Sequence, residues 1–304
     1  MNKFFDKLFG KKPPQQQKKP SVTENIVTAP LSDAQLQAIK VASGKAEPPQ
    51  IVVGCGQSVG KQRELNEDSL LTFTSTIAGN SGTTPFGLYI VADGMGGHQY
   101  GEVASNAAIR TIAGQVLRKF HPYLYNLPST PLDESLQEVM LGAISEAQKV
   151  VLREAPGSGT TLTSALVVGQ QVTIAHVGDS RGYMIYQDGR MELITRDHSL
   201  VRRLEELGQI TPSEAAVHPQ RNVLYRALGQ GEILEPDVTT MPFPQNGYLL
   251  LCSDGLWGVV PEEDLRQITL NAPTLHQACQ NMVSAANAAG GPDNISAVLI
   301  QLLS

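Results

Sequence analysis

Four apolar runs in this chain each meet an aspartate at one end. The clearest is Leu88 to Asp93, Leu-Tyr-Ile-Val-Ala-Asp, followed by Gly94-Met95-Gly96-Gly97-His98. A run of this length that stops at a carboxylate and a glycine-rich turn reads as a buried strand placing one charge at the edge of its sheet. Tyr248 to Asp254 repeats the design, with Gly255 following as Gly94 does, and Val172 to Asp179 is a third example. Asp293, in Gly-Gly-Pro-Asp-Asn, stands just before the run Ile295 to Leu303. If these strand ends converge, the like charges are tolerable only around cations or with raised pKa values. Carboxylates are the hard oxygen ligands that Mg²⁺ and Mn²⁺ prefer, and Gly94, Gly96 and Gly97 let backbone carbonyls approach a cation closely. Any one Asp-Gly pair is equally an ordinary β-turn; four strand-end aspartates point to a shared metal centre.

The rest of the composition is compatible with that centre. Net charge is -6 over 304 residues. Six lysines against Asp6 give residues 1–20 a local charge of +5, so the remainder carries -11. An acidic body argues against a nucleic-acid platform. Three scattered cysteines, Cys55, Cys252 and Cys279, are too few for a disulfide framework and read as reduced core residues of a cytoplasmic protein. No run of about 18 apolar residues is present, so neither a spanning helix nor a signal peptide is expected, and nothing in the chain demands more than a monomer.

Residues 1–49 read as a disordered Lys/Pro/Gln-rich tail that buries too little surface to offset its ordering entropy. Within it Ser32 caps a short helical pattern running to Ala42, while Phe4, Phe5, Leu8 and Phe9 share one helical face flanked by Lys3 and Lys7. That basic amphipathic pattern suits a membrane surface or a partner protein, which would make the protein peripheral to the membrane.

The compact domain spans residues 50–304. Strands flank the loop between Gln57 and Asp68, and a Gly/Ser/Thr-rich hairpin from Thr74 to Pro85 leads into the central strand. Periodic Val103, Ala107, Ile109, Ile112, Val116 and Leu117 predict a helix from Gly101 to Phe120, and a second runs from Asp133 to Glu154 beyond a proline-broken loop from His121 to Thr130. Strands follow at Leu162 to Val168, Val172 to Val177, Gly182 to Tyr186 and Met191 to Ile194, joined by two-residue turns at Gly169-Gln170 and Asp188-Gly189. Leu200 to Gly208 reads as a helix, and Gln209 to Arg226 as a mobile surface excursion. Strand Tyr248 to Cys252, helices Pro261 to Thr269 and Thr274 to Ala289, and strand Ile295 to Leu302 complete it. Hairpins with paired helices, rather than strict β-α-β alternation, predict an α+β layered fold with antiparallel sheets.

Arg63-Glu64-Leu65-Asn66-Glu67-Asp68, Val91 to His98, Gly159-Thr160-Thr161, Val177-Gly178-Asp179-Ser180-Arg181, Ser253-Asp254-Gly255-Leu256-Trp257 and Asp293-Asn294 together resemble the bacterial metal-dependent serine/threonine protein phosphatases of type 2C. The motifs stand in the family's order and cover residues 50–304. The resemblance implies a four-layer sandwich, two central antiparallel β-sheets flanked by pairs of α-helices, with a two-metal site at one edge. Asp93 then matches the carboxylate bridging both ions, Asp254 and Asp293 the other ligands of the first ion, and the Gly94 carbonyl with Glu67 or Asp68, directly or through water, the second. Arg63 matches the phosphate-binding arginine. Asp179, with Asp254, matches a third, weaker metal site or else a supporting hydrogen bond. The segment 199–226 corresponds to the flap beside the active site.

That resemblance implies Mn²⁺- or Mg²⁺-dependent hydrolysis of phosphoserine and phosphothreonine in proteins, opposing a bacterial serine/threonine kinase. Two cations about 3.5 to 4 Å apart can activate a bridging water for in-line attack on phosphorus, and Arg63 suits bidentate phosphate binding. The competing reading is a pseudophosphatase that binds phosphoproteins without turnover. One departure stands out: Met95 occupies the place of a histidine proposed as the general acid in many eukaryotic members, and methionine has no proton to give. His98 reads as structural at the start of the following helix, and His198 as structural beneath the flap.

Overall fold

The computed structural model describes residues 49–303, apart from 80–81, 97–99, 125–132 and 232–233. All described residues fall in the unit Lys45–Ser304. The expected tail and its helical patterns, and His98, therefore lie outside the described residues.

Eleven strands among these residues form two antiparallel sheets. The first has the order β1-β11-β10-β7-β8, built from β1 (Gln50–Ser58), β7 (Arg181–Ile185), β8 (Met191–Leu193), β10 (Tyr248–Cys252) and β11 (Ile295–Leu303). The second has the order β2-β3-β5-β6-β9, from β2 (Asp68–Gly79), β3 (Gly82–Met95), β5 (Leu162–Val168), β6 (Gln171–Val177) and β9 (Asp237–Pro242), with β4 (Gly159–Thr160) pairing on the end of β3. Tyr89, Val91, Val167, Leu249, Leu251, Val298 and Ile300 meet between the sheets. On the far side of the second sheet, Leu88, Ile90 and Ala92 pack against helices α1 (Gly101–Leu124) and α2 (Leu136–Glu154). On the far side of the first, Leu250, Cys252, Ala297 and Leu299 pack against helices later in the chain. The result is the α/β/β/α layering expected. Both faces of each central strand are covered, which is why Leu88 to Ala92 is apolar without alternation.

Of the shorter elements, α3 (Leu200–Glu206) and α4 (Pro212–Ala216) lie in the segment 199–226, α5 (Asp254–Trp257) follows β10, and α6 (Glu262–Asn271) and α7 (Leu275–Ala288) cover the first sheet. The α2 helix starts where its sequence says it should. The Ser135 hydroxyl accepts the Glu138 N–H at 3.2 Å, and the Glu138 carboxylate accepts the Ser135 N–H at 2.7 Å, a reciprocal cap that satisfies two otherwise orphaned donors.

Several elements differ from expectation. Strands β1 and β2, which bracket the loop before Asp68, join different sheets. Helix α1 continues through Pro122 to Leu124, because a proline in the last turn removes only one backbone bond at an end that is already fraying. Strand β9 was not expected. Within the supposed excursion, Pro212 opens α4 rather than breaking structure.

Candidate active site

The sheets deliver their carboxylates to one end of the sandwich. Asp68 and Asp93 are direct cross-strand partners on β2 and β3. Asp179 lies two residues past β6, after Gly178, which holds a left-handed φ of 103°. Asp254 opens α5 two residues past the end of β10, and Asp293 stands two residues before β11. A cavity of about 290 Å³ is lined by Asp93, Gly94, Asp179, Asp254 and Asp293 together with Arg63 and Glu67. Of the residues expected at the site, only Asp68 is not in that lining. It lies buried beside it, its Oδ2 accepting the Ser253 hydroxyl at 2.8 Å.

This much buried negative charge disturbs Asp68, Asp93, Asp179 and Asp254. Burial, then the neighbouring Asp68 and Asp254, holds the Asp93 carboxyl well above the usual carboxylate range. Asp179 is likewise held well above it by burial and then by Asp254. Burial and Asp293 push Asp254 up. Asp68 is raised by burial to about 7, against the pull of hydrogen bonds from Ser296 and Ser253. Arg63 joins the acids, its Nη2 donating to Asp293 Oδ2 at 2.7 Å.

The donor set fits hard divalent cations. Asp68 Oδ1 and Asp254 Oδ1 are buried without a hydrogen-bond partner, a costly condition that a cation nearby would relieve. The cradle is closed to side chains at Gly94, where a Cβ would fall 2.2 Å from the Gly101 carbonyl oxygen and 2.6 Å from that of Glu67. Among the described residues no three acidic, histidine or cysteine side chains form a ready-made metal cluster. The carboxylates instead surround an open cavity, the arrangement suited to a Mg²⁺-like ion that keeps several waters.

The family model for protein phosphatase 2C matches residues 51–295. The chain belongs to the protein phosphatase 2C family. It is 38% identical over 242 residues to the serine/threonine phosphatase Stp of Listeria innocua, covering 80% of this chain and 92% of that one. It is 32% identical over 255 residues to the phosphatase PhpP of Streptococcus pneumoniae strain D39, covering 80% and 94%. The crystal structure of the Mycobacterium tuberculosis phosphatase PstP matches with a TM-score of 0.67 and 32% identity, over 84% of this chain and 100% of that one. A further structure of the PstP catalytic domain, at 30% identity and a TM-score of 0.67 over 84% of this chain and 100% of that one, holds two manganese ions.

In this phosphatase the site rests on side chains that the sequence reading quoted without a role. Asn294 is buried, and its amide makes three hydrogen bonds to one loop. Its Oδ1 accepts the Glu67 N–H at 2.7 Å, and its Nδ2 donates to the carbonyls of Val59 and Leu65, each at 2.8 Å. It thereby pins the irregular segment that carries Arg63 and Glu67 to the turn carrying Asp293. Thr160 and Thr161 do the same for Asp93: the Thr160 hydroxyl donates to the Asp93 carbonyl at 2.9 Å, and the Thr161 hydroxyl accepts the Asp93 N–H at 2.9 Å. His198 is buried just before the segment 199–226, in keeping with a structural role, its Nδ1 accepting the Gly178 N–H at 3.1 Å.

The segment 199–226 was expected beside the site, and two of its residues, Asn222 and Leu224, line the cavity. Helix α3 has no buried residue, so it is lightly packed. Its two ends are tied at the root, where the Leu200 N–H donates to the Val223 carbonyl at 2.8 Å and the Tyr225 N–H to that of His198 at 2.9 Å. Among the described residues no helix is long and apolar enough to cross a membrane.

Proposed function

We propose that this phosphatase hydrolyses phosphoserine and phosphothreonine in proteins within a catalytic domain of residues 50–304, using two divalent cations, Mn²⁺ or Mg²⁺. The observation that carries the reading is the convergence of Asp93, Asp179, Asp254 and Asp293 on one cavity that also holds Arg63, with an unpartnered oxygen on Asp254 in the lining and another on Asp68 behind it. The names of the relatives and the two manganese ions of PstP support it. Asp93 would serve both cations, Asp254 and Asp293 one, and the Gly94 carbonyl with Glu67 the other. Asp68, behind the cavity, supports Asp93 rather than facing the substrate. Asp179 would take a third, weaker ion with Asp254.

When bound, such a cation pair activates a water and neutralises charge developing on the phosphoryl group. The chain's own contribution is placement. Arg63, whose planar guanidinium can grip two phosphoryl oxygens at once, holds the ester at the mouth of the cavity. Thr160, Thr161 and Asn294 keep the backbone of Asp93 and Glu67 from shifting, since a displacement of about 1 Å at a reacting centre costs on the order of a hundredfold in rate. Met95 lines the cavity with no proton to offer, so the departing alkoxide would take its proton from a water held at the third-ion site or from solvent. The substrates are products of a serine/threonine kinase, and the basic segment 1–20 brings the enzyme to an anionic membrane surface or a partner.

The test is phosphate release from a phosphothreonine peptide, with and without Mn²⁺, beside an Asp254→Ala control. Metal-dependent turnover lost in the control is the expected result. Mn²⁺ binding without turnover on any of several peptides would replace this reading with phosphoprotein binding alone.

A further inference from the structure

Trp257, the one tryptophan of the chain, closes α5 three residues after Asp254. The Arg181 guanidinium lies 3.6 Å from the centre of its ring. The same guanidinium forks onto Asp197, Nε to Oδ1 at 3.0 Å and Nη2 to Oδ2 at 2.7 Å, while Nη1 donates to the Tyr183 hydroxyl at 3.1 Å. The indole N–H in turn donates to the Asp179 carbonyl at 3.0 Å. One planar cation thus joins three pieces of the site: the loop carrying Asp179, the helix opened by Asp254, and Asp197, two residues before the helical cap of the flap. The Arg181 and Asp197 side chains are only 19% and 7% exposed, and the next carboxylate, the exposed Glu262, stands 3.9 Å from Arg181 Nη1.

The joint also forms a wall. The catalytic cavity of about 290 Å³ adjoins a cleft of about 630 Å³ with which it shares Arg63, Asp179, Asn222, Asp254 and Asp293. That cleft is lined by Arg181 and Trp257 and by the flap residues Val201, Arg202, Pro212 and Ala215. A small aryl phosphate needs the inner cavity, whereas the residues flanking a phosphothreonine must run through the outer cleft.

We propose that Arg181 is a positioning residue for protein substrates: its fork on Asp197 and its stack on Trp257 hold the root of the flap in register with the metal-bearing loops, and so shape the cleft that takes the peptide. The proposal rests on the phosphatase reading above and adds to it the device that aligns the flap. Lysine at this position keeps the charge and loses both the fork and the planar stack.

The experiment compares the full-length protein with its Arg181→Lys variant on a phosphothreonine peptide and on para-nitrophenyl phosphate, alongside hydrogen exchange of residues 199–226 and acrylamide quenching of Trp257 fluorescence. In the variant, kcat/KM for the peptide is expected to fall about tenfold or more, chiefly through KM, with aryl phosphate turnover within about threefold. Exchange across 199–226 and quenching of the indole should both rise. Equal losses on both substrates with unchanged exchange, or no change in any readout, overturn the proposal. Should Arg181→Lys fail to fold, Asp197→Asn removes the same fork without changing side-chain shape. Faster exchange in the flap then supports the joint and unchanged exchange overturns it. Wild-type protein that turns over neither substrate would refute the phosphatase reading, while exchange and quenching still report on the joint.

Discussion

His176 makes stability fall on acidification, by an amount the structure allows to be worked out. It is buried near the end of β6, with Nε2 3.0 Å from the Arg196 carbonyl and Nδ1 2.9 Å from the Thr163 hydroxyl. The carbonyl can only accept, so Nε2 carries the proton of a neutral ring. Burial, then the neighbouring His198 at a ring distance of 5.0 Å, lowers the His176 pKa from 6.5 to about 4. Between those values the unfolded chain binds a proton that the folded one refuses. Stability is therefore fully present above pH 6.5 and is lost as pH falls from 6.5 towards 4. Carried through the linkage relation, that difference costs about 2 kcal/mol between pH 7 and pH 5. The acidic cluster acts in the opposite direction, since its raised carboxyls take up protons in the folded state. The assay is therefore urea unfolding of the wild type and His176→Gln at both pH values. The wild type should lose about 2 kcal/mol more than the variant over that interval. An equal pH dependence of the two proteins would show that His176 does not stay neutral, and would refute the reasoning.

Asn294→Asp keeps the acceptor for the Glu67 N–H but replaces two donors with a charge facing the Val59 and Leu65 carbonyls. Urea unfolding should show a loss of about 2 to 3 kcal/mol, and a variant as stable as the wild type would refute the pinning role. Metal loading should stabilise the fold by mass action: Mn²⁺ at a hundred times its dissociation constant contributes about 2.7 kcal/mol, or about 5 to 10 °C in melting temperature. A melting temperature unmoved by Mn²⁺ and by its chelation would count against a cation site among these carboxylates.

The sequence made some elements readable to the residue. Strands β5 and β10 have the bounds expected, β10 because Tyr-Leu-Leu-Leu-Cys is apolar throughout and β5 because the Gly169-Gln170 turn closes it. Strand β9 is an edge strand whose residues alternate between exposed and half-buried, so its Asp-Val-Thr-Thr-Met-Pro carries little apolar signal. Helix α4 falls within a stretch with few core residues, and its signal is the reciprocal cap of Thr211 and Glu214, with proline well suited to a first helical position. At the site, Asp93, Asp179, Asp254 and Asp293 were legible because each stands at or beside a strand end. Glu67 and Asp68 are adjacent in the chain, and only the pairing of Asp68 opposite Asp93 in the sheet separates the one lining the cavity from the one behind it. The work of Asn294 spans sequence separations of 227 to 235 residues, which no local pattern records.

The layering of the fold answers a problem that the site creates. Buried carboxylates at short range oppose folding, and an enzyme that keeps them must draw stability from elsewhere. Here three apolar layers, one between the sheets and one beneath each helical layer, lie along the body of the strands, while the charges are confined to strand ends and the turns that follow them. The repulsion therefore falls on segments held by a few directed bonds, from Thr160, Thr161, Ser253 and Asn294, rather than on the packed core. Losing one of those bonds should loosen a single loop and leave the sandwich folded. The residues that support this site can accordingly be tested one at a time, by changes that alter metal binding or KM well before they unfold the protein.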